Sequence, residues 1–254
     1  MLDACIPKII LIMTKNQNDN AEYQPIITIP NIITSIGLLS GILAIIFSFH
    51  STYRYGSWLG YELCWLFIGI SVVCDFCDGL SARLLNAYSE TGKNLDSLSD
   101  LVTFGLAPAL LIFNLIYVYH PHWDFVTWLS LLIPVTGALR LAKFNADPSQ
   151  KTCFKGLPIP ANAIFWIGFS TLLLTSDEMP AWIFTLSVIV ISLLMISPIR
   201  MFSLKVSDFG LNIVNIKRIV VLIAAIIFLI FLGIQGFMWS IILYIFLSVI
   251  NNNN

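Results

Sequence analysis

Charge is scarce in this sequence. Asp, Glu, Lys and Arg make up 11% of its 254 residues, where a water-soluble domain carries about a quarter. That scarcity excludes an ordinary soluble enzyme, a disordered tail and a basic nucleic-acid binder. The net charge of −1 gives no whole-chain field toward an anionic partner. Histidine is rarer still, with His50, His120 and His122 the full complement. The five cysteines are Cys5, Cys64, Cys74, Cys77 and Cys153. Their odd count and mostly cytoplasmic placement argue against disulfides. The one C-x-x-C, Cys74 with Cys77, has neither the second pair nor the nearby histidine of a zinc site, and is read as packing. No internal repeat of the transporter kind is present. The first 24 residues lack a long enough apolar stretch and a small-residue cleavage site for a signal peptide.

What remains is apolar. Hydrophobic residues make up 58% of the chain, and mean hydropathy is +0.88. Runs long enough to cross a bilayer predict an all-α, polytopic helical membrane protein with about eight transmembrane helices. We place these at residues 29–49, 58–80, 95–119, 125–141, 159–175, 181–196, 214–232 and 237–250, the last short enough to be interfacial. Residues 1–27 are read as a cytoplasmic tail, 28–250 as the transmembrane catalytic domain and 251–254 as a polar tail. With eight spans, one side receives Lys8, Lys15, Arg83, Lys93, Arg140, Lys143, Lys151, Lys155, Arg200, Lys205, Lys217 and Arg218; the other receives only Arg54. That bias predicts both termini in the cytoplasm and all three histidines on the opposite side.

The acids are more informative. Asp75 with Asp78, and Asp96 with Asp100, stand three and four residues apart, so each pair shares a helix face. The first pair ends the second span and the second pair begins the third, across a linker at about 84–95. Four carboxylates converging at a membrane edge repel one another unless protonated or bridged by cations. An all-oxygen donor set suits Mg²⁺ or Mn²⁺, and four carboxylates suit two ions. Gly79 and Ala82 keep that face open, Gly92 opens the approach before Asp96, and Arg83 offers a fork to phosphate. Helix capping is the plain alternative for any one of these acids, Asp96 above all, but not for all four together. A cation pathway would want acids deeper in the spans.

These residues spell D-x2-D-G-x2-A-R-x8-G-x3-D-x3-D, from Asp75 through Arg83 and Gly92 to Asp100, with every fixed position filled. The pattern resembles the signature of the CDP-alcohol phosphatidyltransferase family. The segments Leu101–Ala109, Leu139–Asn145 and Gly156–Pro160 resemble its integral-membrane, serine-accepting branch. The resemblance runs from about Thr28 to Ser170. It implies a six-helix core, two Mg²⁺ or Mn²⁺ ions on Asp75, Asp78, Asp96 and Asp100, and displacement of CMP from CDP-diacylglycerol by an alcohol, here L-serine. It places Asn31, Thr34, Gly79, Ala82 and Arg83 at the CDP-lipid, and makes Asp100 the candidate general base. Arg140, Lys143 and Asn145 are candidate acceptor contacts. Lys155 stands behind them, with membrane anchoring an equal reading for the cations.

Relatives that use glycerol phosphate or inositol phosphate often carry Lys after the fourth Asp. Leu101 stands there and favours a less anionic acceptor. Gly37 replaces an Asn common among serine-specific relatives, and Lys143 an Arg, which keeps charge but loses the fork. Pro108 is expected to kink the third span and free a backbone carbonyl. The family also implies a homodimer among membrane lipids in a bacterial-type inner membrane, with the active site facing the cytoplasm.

Overall fold

Mostly apolar side chains across residues 29–49 leave the backbone to satisfy its own N–H and C=O groups, and they form helix α1 (Ile29–Phe49). Its start is capped by Thr28, whose hydroxyl accepts from the Asn31 N–H at 3.3 Å. The structure, a computed structural model, describes residues 27–147, 154–176, 179–202 and 213–250. The expected tails, and with them Lys8, Lys15, Lys151, Lys205, Cys5 and Cys153, lie outside these residues.

The second helix differs from expectation at both ends. Residues 58–59 do not begin it: Trp58–Leu59 is a strand, β2, paired antiparallel with β1 (Arg54–Tyr55). Helix α2 starts at Gly60, where a Cβ would stand 1.9 Å from the His50 carbonyl oxygen, and runs to Leu84. Ser81, Ala82 and Arg83 disfavour membrane but not helix, so the helix continues past the apolar run. The linker therefore shortens to residues 85–89, and α3 (Glu90–Asp100) begins a turn earlier than expected. Its cap is Ser89, whose hydroxyl accepts from the Gly92 N–H at 2.9 Å. Asp96 is thus not a cap.

The helix continues without a break from Glu90 to Tyr119. Between α3 and α4 (Ala107–Tyr119) lies one π-helical stretch, Leu101–Leu106. Pro108 is accommodated by this widened turn. After short turns at Pro121–Trp123, Asp124–Thr127 (α5) and Trp128–Leu131, helix α6 (Leu132–Ala146) extends beyond the expected 141 and carries Lys143 and Asn145. Helices α7 (Ile159–Thr175) and α8 (Ala181–Ile196) follow, tied at one end by strands β3 (Phe154–Lys155) and β4 (Arg200–Met201). Helices α9 (Ile213–Leu232) and α10 (Gly236–Ile250) form an antiparallel pair around a turn at Gly233, where φ is +58°. Lys217 Nζ donates to the Leu247 carbonyl across that pair at 3.3 Å. At 15 residues α10 rises about 22 Å, less than the roughly 30 Å of a bilayer core.

Helix α4 forms the buried centre, with Leu111, Ile112, Leu115 and Ile116 wholly enclosed. Trp166 and Phe169 of α7 and Phe184 of α8 extend the core as an aromatic cluster. Small residues set the closest crossings. A Cβ on Gly41 would lie 2.3 Å from the Thr103 hydroxyl, and one on Gly168 would lie 2.3 Å from the Met238 nitrogen. Outward faces are apolar, as on α9 at Ile219, Ile223, Ile226 and Ile230. Cys64 is buried, Cys74 and Cys77 are half-buried, and all three are free thiols.

Candidate active site

Helices α1 and α2 run antiparallel and share the most extensive helix contact in the fold. The start of one therefore meets the end of the other. The Thr34 hydroxyl, one turn into α1, donates to an Asp78 carboxylate oxygen at 2.5 Å, and is also 3.0 Å from the Pro30 carbonyl. Asp78 is buried by this contact. Asp75 lies one turn earlier on α2, and Asp96 arrives from the second turn of α3. Asp75, Asp78 and Asp96 can each point one carboxylate oxygen to within 4.8 Å of the other two. Asp100 stands beside this trio. It interacts electrostatically with Asp75, Asp96 and Asp78, and with one cation, the buried Arg140 guanidinium of α6.

The donors are all oxygen, and the Arg140 guanidinium faces Asp100 and Asp75. This is the environment a hard divalent cation requires, so Asp75, Asp78, Asp96 and Asp100 fit Mg²⁺ or Mn²⁺. The surroundings divide the remaining candidates. A Cβ on Gly79 would meet nothing within 4 Å, so the space beside Asp78 is open, as expected. Ala82 is half-buried and Arg83 exposed on the same helical end. Gly92 serves a different purpose from the one expected. A Cβ there would lie 2.8 Å from Asn31 Oδ1, so its smallness lets α3 close against the buried Asn31. Gly37 is explained similarly: its Cβ would lie 3.0 Å from that of Cys74. A larger side chain there requires the two helices to part.

The three acceptor candidates separate. Arg140 points its charge at the acid cluster, and its Nε is buried without a hydrogen-bond partner among the described residues. The Asn145 amide donates from Nδ2 to the Ser97 hydroxyl at 2.8 Å. That leaves its Oδ1 buried and unpartnered among the described residues. Lys143 is exposed, and its Nζ donates to the Ile196 carbonyl at 3.3 Å, satisfying the C-terminus of α8. Lys155 is paired with Asp147 at 3.0 Å. The histidines are far away: His120 is twenty residues beyond Asp100 on one continuous helical run, about 30 Å. There its Nε2 lies 3.1 Å from the Leu173 carbonyl oxygen.

An apolar groove of about 600 Å³ starts one turn before Asp75, at Val72 and Val73, and follows α2 past Gly69 to Trp65 and Trp58. Ile164, Ile167 and Phe237 form its other wall.

Some contributors are not evident from the sequence. Asn162 of α7 is wholly buried and bonded to the Phe104 carbonyl, and Asn215 and Arg218 of α9 form a buried pair. The available signal was an amide or guanidinium within an apolar helix, which is costly unless bonded.

The sequence profile of the CDP-alcohol phosphatidyltransferase family matches residues 27–193. The CDP-diacylglycerol–serine O-phosphatidyltransferase of Bacillus subtilis is 39% identical over 132 residues, which cover 52% of this chain and 69% of that protein. The protein of the same name from Methanocaldococcus jannaschii is 34% identical over 183 residues, 70% of this chain and 76% of its own length. For the one from Helicobacter pylori strain J99 the figures are 35% over 142 residues, 55% of this chain and 56% of the relative, so just over half of that protein is spanned. Helices α9 and α10 lie outside the profile match.

Proposed function

This chain belongs to the CDP-alcohol phosphatidyltransferase family, and on that premise we propose that it transfers the phosphatidyl group of CDP-diacylglycerol to the hydroxyl of L-serine, giving phosphatidylserine and CMP. One observation carries the choice of serine. On α6 two buried polar atoms of opposite kind lack partners among the described residues: the Arg140 Nε donor, whose guanidinium faces Asp100 and Asp75, and the Asn145 Oδ1 acceptor, whose amide bonds to Ser97, the neighbour of Asp96. Buried orphans of this sort are costly unless a ligand completes them. A donor and an acceptor together suit the carboxylate and ammonium of an amino acid. A phosphate acceptor could offer the second a hydroxyl but no ammonium. Leu101 in place of a lysine, and the names of the relatives above, support the same reading.

In this proposal Asp75, Asp78, Asp96 and Asp100 hold two divalent ions. Bound there, Mg²⁺ or Mn²⁺ would neutralise the pyrophosphate and make its phosphorus more electrophilic. Gly79 and Ala82 leave room for the CDP moiety, Arg83 pairs with its phosphates, and Asn31 and Thr34 set the first helix against Asp78. Asp100 accepts the proton of the serine hydroxyl as its oxygen bonds to the phosphorus carrying diacylglycerol. The bond from that phosphorus to the bridging oxygen breaks, and CMP departs with that oxygen. Placement of the histidines at the far end favours this single displacement over a phosphohistidine route. The Lys and Arg bias supports a cytoplasm-facing site in a bacterial-type inner membrane. A homodimer rests on family membership alone.

Purified protein given CDP-diacylglycerol and Mn²⁺ should release CMP with serine. It should release little with glycerol phosphate or inositol phosphate. Equal release from all three, or none from serine, would overturn the choice of acceptor. The apolar groove is the proposed seat of an acyl chain. Gly69 faces open space two turns from Asp75. Gly69→Trp is therefore expected to lower kcat/KM for dioleoyl CDP-diacylglycerol about tenfold, by burying less chain. The dioctanoyl substrate should be nearly unaffected. Equal losses for both substrates would place the chains elsewhere.

A further inference from the structure

The acids of α3 are followed at once by the π-helical stretch, and the widened turn needs support. The Ala107 N–H bonds to the Val102 carbonyl, five residues back, so the turn holds one residue more than an α-turn. In an α-helix the Phe104 carbonyl would accept from residue 108, but Pro108 has no N–H. A donor from another helix meets that carbonyl: Asn162 Nδ2 donates to the Phe104 oxygen at 2.9 Å. Asn162 is itself held, because Trp166 Nε1 donates to its Oδ1 at 2.9 Å. Asn162 is wholly buried, and Phe104 and Trp166 nearly so or wholly.

We infer that Asn162 is a positioning residue for the acid cluster, acting through the π-turn to set the register of Asp96 and Asp100 against Asp75 and Asp78. The direction of the effect follows from burial. Ala107, Ala109, Leu111, Ile112, Leu115 and Ile116 are locked in the core, whereas most of α3 is partly or fully exposed. If the turn loses this support and relaxes, α4 stays and α3 moves. A one-residue slip rotates a helix by about 100° and shifts it about 1.5 Å. Asp96 and Asp100 would then leave the face that meets α2. The inference rests on the reading that these acids hold divalent cations. Asn162 acts through the Phe104 carbonyl and is not a catalytic residue.

The test is Mn²⁺ titration of the purified full-length protein by electron paramagnetic resonance, beside its thermal unfolding midpoint. Asn162→Ser, whose hydroxyl is too short to reach the Phe104 carbonyl, should raise the Mn²⁺ dissociation constant at least tenfold and lower the midpoint. The double variant Asn162→Ser, Pro108→Ala gives that carbonyl a backbone donor in α register. It should regain stability without regaining Mn²⁺ binding, and it decides the question even if the single variant does not fold. A purely structural asparagine predicts that both properties return together, and that result would overturn the inference. So would Asn162→Ser binding Mn²⁺ as the wild type does. A wild-type protein that binds no Mn²⁺ would instead remove the metal reading, and this inference with it.

Discussion

Asp100→Asn is expected to lower kcat about 10²- to 10⁴-fold, the usual contribution of a positioned general base. The amide keeps the shape of the carboxylate and cannot accept the serine proton. KM for CDP-diacylglycerol should change little, because Asp75, Asp78 and Asp96 form the tight trio and Asp100 stands beside it. Asp96→Asn provides the contrast. It removes a member of the trio and should weaken Mn²⁺ binding at least as much as it lowers turnover. Raised Mn²⁺ should then partly restore Asp96→Asn but not Asp100→Asn. Near-normal kcat in Asp100→Asn would assign the base to another group. Identical metal dependence in the two variants would make Asp100 a ligand and nothing more.

The separation of those roles shows how far the sequence carries. Its i,i+3 and i,i+4 spacing predicts two carboxylate pairs on two helix faces. Antiparallel α1 and α2, with α3 folded back after a five-residue linker, then bring the first pair against Asp96. Apolar runs locate the helices because the bilayer demands a length and leaves the backbone no other partner. Their ends are less legible. Trp58 and Leu59 are apolar enough to join a helix, yet pair as a strand with Arg54 and Tyr55. Serine, alanine and arginine end an apolar run without ending α2. Pro108 signals a local defect, but not that a wider turn forms there with its Phe104 carbonyl bonded to Asn162, more than fifty residues away. Likewise Arg140 and Lys143 lie three apart with the same charge. One is buried against the acids, and the other closes the end of α8. Tertiary partners make that distinction, and no local pattern contains it.

Arg140→Ala should raise KM for serine far more than KM for CDP-diacylglycerol. Arg140 is 7% exposed, faces Asp100 and Asp75, and stacks its guanidinium 5.9 Å from the centre of the Phe144 ring. Its Nε nevertheless lacks a hydrogen-bond partner among the described residues. Removing one partner of a buried, hydrogen-bonded charge pair costs about 2–5 kcal/mol, which is roughly 30- to several-thousand-fold in affinity. Arg140→Lys should recover only part of this, since an ammonium restores the charge without the planar set of donors. Lys143→Ala is the internal control. Its lysine bonds to the Ile196 carbonyl at an exposed position, so its loss should leave KM for serine within about threefold, the scale of a surface contact. A serine KM that rises equally in Arg140→Ala and Lys143→Ala would reduce both residues to a general positive field at the membrane face. A rise in Arg140→Ala, with a smaller one in Asn145→Ala and none in Lys143→Ala, would assign the carboxylate and ammonium of the acceptor to the two α6 atoms without partners among the described residues.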